Sequence, residues 1–174
     1  MHSTYRQNEV DLRPRFEDAR ASARRAIEAF HSVRGGLAAP VPVRELARWL
    51  GYSVVELYAV PDEFSALVSI RDKLIGVNGK HHPHRQRFSV CHEIGHILLN
   101  HPPESRCTSK EVKVFNAEAD VCAGELLMPE ALLTPLLQRQ LDVKELITRF
   151  DVSREALLRR LGGASSSYPV QQRK

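Results

Sequence analysis

The chain has 174 residues with a formal net charge of +4, and 43% of them are hydrophobic, which predicts one globular domain with its own core. No stretch reaches the roughly 18–20 apolar residues of a membrane span, and the first residues lack the apolar core of a secretory signal. Three cysteines at irregular positions exclude a disulfide framework, and the basic residues are too dispersed for a dedicated nucleic-acid binder, so we expect a cytoplasmic protein.

The N-terminal part of the chain predicts two helices. Apolar positions recur with helical spacing over residues 16–33, and the two glycines at 35–36 end that pattern. Residues 43–50 place their apolar side chains on one face, between a proline and a glycine. Residues 1–15 lack such a pattern, and we expect them to be flexible.

A small sheet and further helices are predicted next. The segments 52–60, 64–70 and 73–78 contain many β-branched and other apolar residues and are joined by short turns, which predicts an antiparallel meander. From residue 85 to about residue 161 the pattern is helical again, and we expect the polar end, 164–174, to be flexible. The predicted fold class is therefore α+β, with a small antiparallel sheet packed on helices.

One of these helices carries a metal-binding pattern. His92 and His96 are one helical turn apart in the sequence His-Glu-x-x-His, so both rings can hold one metal ion, and Glu93 can reach water at that ion. Glu93 is the only formal charge in residues 89–100, and burial of a carboxylate beside two imidazoles is costly unless a metal ion offsets it. Gly95 weakens the helix, so its presence predicts the close approach of another element.

The third ligand is not determined by this spacing. A catalytic zinc site has three protein ligands and one water molecule. Where a longer histidine pattern has its third histidine, this chain has Pro102. Glu118 and Asp120 on the next helix are candidates that point to different sides of it, and His101 is a further one. The residues alone leave this choice open.

The combined pattern resembles the ImmA/IrrE family of zinc metallopeptidases. The resemblance rests on Arg-Phe-Ser before His-Glu-Ile-Gly-His within residues 87–96, on Glu-Ala-Asp at 118–120 and on Leu-Leu-Met-Pro at 126–129. It covers about residues 20–161.

This resemblance implies a specific metal site. His92, His96 and Glu118 would be the metal ligands, the metal would be Zn²⁺ with Mn²⁺ as a possible replacement, and Glu93 would be the catalytic base. Related peptidases with a glutamate ligand often have an aspartate four residues later that orients a histidine ligand. Cys122 occupies that position here, so the orienting residue stays unassigned.

The resemblance also implies a domain organisation. A zincin-like metallopeptidase domain would span residues 16–129, and a helix-turn-helix-like segment would span 130–163. Strand 75–78, just before the active helix, is predicted to bind an extended substrate as an added strand. Three arginines between residues 154 and 160 could bind DNA, but the leucines among them must pack. We therefore favour a helical pair that packs on the protease or docks its partner.

The function implied is that of a site-specific intracellular endopeptidase. Its substrate would be a helix-turn-helix (XRE-like) transcriptional repressor, and cleavage would release the repressed genes as part of a stress response. One alternative is a zinc-containing, non-catalytic regulator that binds a repressor or DNA, and another is the toxin half of a toxin–antitoxin module. Glu93 favours the enzyme, because a non-catalytic regulator has no need of a catalytic base.

Overall fold

A computed structural model describes residues 12–162 of the chain. This part of the protein contains both helices and strands, which confirms the predicted α+β class. Of the ends predicted to be flexible, residues 1–11 and 164–174 lie outside the described part, and residues 12–15 lead directly into the first helix. The elements in chain order are α1 (Phe16–Arg34), α2 (Val43–Trp49), β1 (Ser53–Leu57), β2 (Ala66–Ser69), β3 (Leu74–Asn78), α3 (Pro83–Leu98), α4 (Ser109–Leu127), α5 (Glu130–Gln138), α6 (Val143–Phe150) and α7 (Arg154–Gly162).

The helices begin and end where the sequence supplies the appropriate groups. Gly35 follows α1 with φ +88°, a left-handed conformation that glycine adopts without steric cost. Thr108 and Glu111 form a capping box at the start of α4. Asp142 and Glu145 do the same at the start of α6. Among the described residues, no helix has the length and apolar character that a membrane crossing requires.

The sheet has three strands in the order β1-β3-β2 and is mixed. β2 and β3 pair antiparallel, as predicted, but β1 pairs with β3 in parallel, so the predicted antiparallel meander is wrong for β1. The reason is burial: Ile75 and Val77 of β3 are fully buried and have strand neighbours on both sides. The prediction that strand 75–78 binds an extended substrate as an added strand is also wrong, because β3 lies between β1 and β2 and is paired on both sides.

Helices α3 and α4 pack closely at Gly95. A Cβ atom at that position would lie 3.0 Å from both the Cα and the carbonyl oxygen of Ala119. Real Cβ atoms rarely approach backbone atoms so closely, so a larger residue would require the helices to shift by a few tenths of an ångström. The close approach that Gly95 predicted is confirmed. It places the side chains of α4 beside the metal-binding pattern of α3.

The C-terminal helices pack onto the same core. Arg160 of α7 forms a buried ion pair with Glu125 of α4, with 2.6 Å between Nη2 and Oε2. Its Nε also donates to the Met128 carbonyl at 3.3 Å. The predicted domain boundary after residue 129 stays a prediction, and side chains from both sides of it form one hydrophobic cluster that includes Leu126, Leu127, Met128, Leu133, Leu146, Phe150 and Leu157.

Candidate metal centre

The two histidines of α3 face each other directly. The Nε2 atoms of His92 and His96 are 3.0 Å apart. The outer nitrogen of His92, Nδ1, lies 2.8 Å from Oδ1 of Asp120. A carboxylate at this nitrogen can orient a histidine ring, which is the role that the sequence leaves unassigned. Asp120 lies two residues after Glu118, whereas the expected position was four residues after it.

A second chain of contacts holds His96. Its Nδ1 lies 2.9 Å from Nδ1 of His101, and Nε2 of His101 lies 2.8 Å from Oε2 of Glu118. The backbone N–H of Arg15 donates to Oε1 of Glu118 at 2.7 Å, and its guanidinium contacts both carboxylate oxygens. Burial alone would raise the pKa of Glu118, but the hydrogen bonds from Arg15 and His101 bring it below its usual value, so the carboxylate is ionised.

These contacts determine the protonation of the histidine pair. Ionised Glu118 accepts the Nε2 proton of His101, so Nδ1 of His101 accepts the Nδ1 proton of His96, and Nε2 of His96 carries a lone pair. Asp120 accepts the Nδ1 proton of His92, and although burial lowers the pKa of His92, the hydrogen bond and charge of Asp120 raise it above its usual value. A metal ion bound by the Nε2 atoms of both rings would replace the proton that His92 otherwise directs at His96 across 3.0 Å.

The donor set fits part of a zinc site. Zinc binds imidazole nitrogen at about 2.0–2.1 Å, which places two tetrahedral nitrogen ligands about 3.3 Å apart. The observed 3.0 Å between the Nε2 atoms of His92 and His96 is close to that separation. The carboxylate of Glu118 is separated from this pair by the ring of His101. Within residues 12–162, no three His, Cys, Asp or Glu side chains converge on one point.

Glu93 lies beside the histidine pair in a buried position. Its side chain is 9% exposed, and burial raises its pKa to about 7, against the opposing charge of His92. A carboxyl group with a pKa near neutrality can both accept and donate a proton at physiological pH. Burial also lowers the pKa of His96 to about 4, so that ring is neutral and able to bind a metal.

An open groove of about 1010 Å³ runs past these side chains. Residues 65–71, which include the edge strand β2, line one side of it. The other side comprises α3, the segment at residues 101–104 and the first half of α4. Leu67 and Ile70 on the β2 side remain 42% and 49% exposed, so the groove that contains Glu93 also has exposed apolar side chains in its lining.

The structure brings side chains of the site into contacts that the sequence pattern does not indicate. His92, His96 and Glu93 lie together, whereas Glu118 contacts His101 and Arg15. The role of Arg15 has no local sequence signal, because it lies 103 positions from Glu118. His101 is a candidate ligand in the sequence, but its separation from His96 along the chain does not show that its ring lies between His96 and Glu118.

The model of the family Peptidase_M78, described as the IrrE N-terminal-like domain, matches residues 57–162. No curated protein matches the sequence significantly. The solved structure of a Mycobacterium tuberculosis transcriptional regulator is similar, with a TM-score of 0.65 and 18% sequence identity. The similar region covers 90% of this chain and 54% of the regulator's chain. The chain thus spans about half the length of that regulator, and the similarity concerns the fold.

Proposed function

The chain belongs to the family of IrrE N-terminal-like domains, and from this membership we propose that it is a cytoplasmic zinc-dependent endopeptidase. Its substrate would be a helix-turn-helix transcriptional repressor, which it cleaves at one or a few bonds. The observation that carries the proposal is the pair of Nε2 atoms of His92 and His96, 3.0 Å apart, beside a buried Glu93.

We propose His92, His96 and Glu118 as the metal ligands. Asp120 contacts the outer ring nitrogen of His92 and His101 contacts that of His96, and the Nε2 atoms of the two rings face each other. Glu118 supports the assignment as a buried, ionised carboxylate on the helix packed against α3. Its coordination would replace its hydrogen bond to His101. Zn²⁺ in such a site is a Lewis acid that polarises the scissile carbonyl and makes water more acidic, and Mn²⁺ is a possible substitute.

Glu93 would move the proton during hydrolysis. Its carboxylate can accept the proton of the attacking water and later donate it to the leaving amine. The peptide bond between carbonyl carbon and nitrogen breaks, and the elements of water are divided between the new carboxyl and amino ends. The low exposure of Glu93 keeps bulk water from competing for this proton.

The groove supports an extended peptide as substrate. β2 is the edge strand that lines the groove, so its outer backbone groups can pair with a peptide as an added strand. Exposed Leu67 and Ile70 can contact apolar side chains of that peptide. This assignment moves the proposed docking strand from 75–78 to residues 66–69.

The C-terminal helices support packing more than DNA binding. Arg160 is buried against Glu125, and Arg159 donates to Asp120 at 2.9 Å. Two of the three arginines considered for DNA contact are therefore engaged within the chain. The second candidate function is that of a zinc-containing regulator without catalysis, which the similarity to a transcriptional regulator favours.

A cleavage assay tests the proposal and separates the two candidates. Purified protein is loaded with Zn²⁺ and incubated with a helix-turn-helix repressor, chosen first from those encoded beside its gene, and products are identified by mass spectrometry. We expect cleavage by the wild type and none by Glu93→Gln, which keeps the shape of the side chain but cannot accept the proton.

The zinc content of both proteins is measured in the same samples. Equal zinc content with cleavage only by the wild type supports the enzyme. Cleavage by Glu93→Gln at the wild-type rate contradicts the mechanism, and an intact repressor with zinc-loaded wild type contradicts the substrate.

A further inference from the structure

Arg159 connects the C-terminal helix α7 to the histidine pair. Its Nη1 donates to Oδ2 of Asp120 at 2.9 Å, and Oδ1 of the same carboxylate contacts Nδ1 of His92 at 2.8 Å. Three helices therefore meet in one line of contacts, with Arg159 from α7, Asp120 from α4 and His92 from α3. None of the sequence patterns connects Arg159 with the site.

We propose that Arg159 is a positioning residue for His92 and makes α7 part of the metal site. This role rests on the proposed zinc function. A carboxylate with one partner can rotate about its Cβ–Cγ bond and change the direction in which its oxygens accept. Arg159 holds Oδ2 of Asp120, so Oδ1 stays directed at Nδ1 of His92 and Nε2 of that ring stays directed at the metal position.

Arg159 is itself held in place by its surroundings. Its Nη2 donates to Glu155 one helical turn earlier at 2.9 Å, and its guanidinium lies 5.9 Å from the centre of the Phe88 ring. The adjacent Arg160 fixes α7 on α4 through the buried ion pair with Glu125. Because three contacts restrict its guanidinium and α7 itself is anchored, Arg159 can limit the motion of Asp120.

The size of the effect follows from exposure. The Arg159 side chain is 52% exposed and that of Asp120 is 30% exposed, so their ion pair is a weak one in a stability measurement. Removal of a carboxylate that orients a ligand histidine weakens metal binding by about 10–100-fold. Arg159 acts through that carboxylate, so Arg159→Ala should weaken zinc binding by about two- to fivefold.

The test measures metal affinity on the full chain in competition with a chromophoric chelator. The variants are Arg159→Ala, Asp120→Ala, the double variant and a matched control, Arg154→Ala, which removes an exposed arginine from the first turn of the same helix. We expect weaker Zn²⁺ binding for Arg159→Ala and unchanged binding for Arg154→Ala. Asp120→Ala and the double variant should bind equally weakly, because Arg159 has no route to His92 without Asp120.

The Co²⁺ absorption spectrum supplies a readout that general stability would not change. A shift of the visible bands in Arg159→Ala, with the control unchanged, supports the positioning role. Zinc affinity of Arg159→Ala equal to that of Arg154→Ala overturns it, and so does a further loss in the double variant. If the wild type binds neither Zn²⁺ nor Co²⁺, the proposed function itself fails, which distinguishes that outcome from a failure of Arg159 alone.

Discussion

Replacement of Arg160 by methionine should destabilise the folded protein strongly. Glu125 is fully buried, and Oε2 contacts Arg160 at 2.6 Å while Oε1 accepts the backbone N–H of Glu130 at 2.9 Å. Methionine fills much of the same space but leaves the carboxylate without its cation. Removal of one partner of a buried ion pair costs about 3–5 kcal/mol, which is a large part of the about 5–15 kcal/mol that stabilises a typical domain.

Urea denaturation of the metal-free protein, followed by circular dichroism at pH 7.5, measures this loss. With a slope of about 1–3 kcal/mol/M, the midpoint should fall by about 1 M or more. Arg154→Met is the matched control on the same helix, and we expect it to leave the midpoint unchanged.

The double variant Glu125→Gln with Arg160→Met tests the cause. A neutral amide oxygen can still accept from the Glu130 N–H, so at least half of the lost stability should return. The reasoning is refuted if Arg160→Met unfolds within about 1 kcal/mol of the Arg154→Met control, or if the double variant is less stable than the single one.

Three further predictions concern the site itself. His92→Ala and His96→Ala should each abolish binding of about one zinc per chain, and elemental analysis that finds full zinc in both would refute the assignment. Burial raises the pKa of Glu93 to about 7, so the unfolded chain loses this proton at a lower pH than the folded protein. The wild type therefore loses stability relative to Glu93→Gln as the pH rises from about 4 to 7. Without metal, the free energy of unfolding of Glu93→Gln should exceed that of the wild type by about 2–3 kcal/mol at pH 8 and equal it at pH 4. Equal free energies of unfolding at pH 8 would contradict this. Gly95→Ala should lower the free energy of unfolding by about 1–3 kcal/mol, because the new Cβ would lie 3.0 Å from the α4 backbone. Gly162→Ala, whose Cβ would have no atom within 4 Å, should leave the free energy of unfolding unchanged. Equal effects of both substitutions would show that α3 and α4 can move apart without cost.

The helices were predictable because each has its own local signals. The spacing of apolar residues predicted a helix over 16–33, and α1 spans Phe16–Arg34. The sheet was only partly predictable, since short connections show which strands are neighbours in sequence but not which strand lies between the others. The continuous apolar run in 74–77, compared with the shorter run in β2, is the signal that would have indicated β3 as the central strand.

The site was predictable where a single helix carries it. His92 and His96 share one turn of α3, so their spacing alone brings the rings together. The partners of these rings come from other elements. Helical geometry separates Glu118 and Asp120 by about 200°, which correctly predicts different directions. It does not reveal that His101 lies on one side and His92 on the other, because that depends on how α4 crosses α3.

The same crossing explains why the C-terminal helices and the histidine pair depend on each other. Gly95 brings α3 against α4, and this contact places Asp120 at His92. α4 in turn contains Glu125, whose carboxylate is fully buried. Among its described contacts, Arg160 of α7 is the only cation that neutralises it. Loss of α7 would therefore leave an unpaired charge inside the helix that orients the site. A segment that looks like a separate helix-turn-helix in the sequence thus contacts, through Arg159 and Arg160, the helix that carries Asp120.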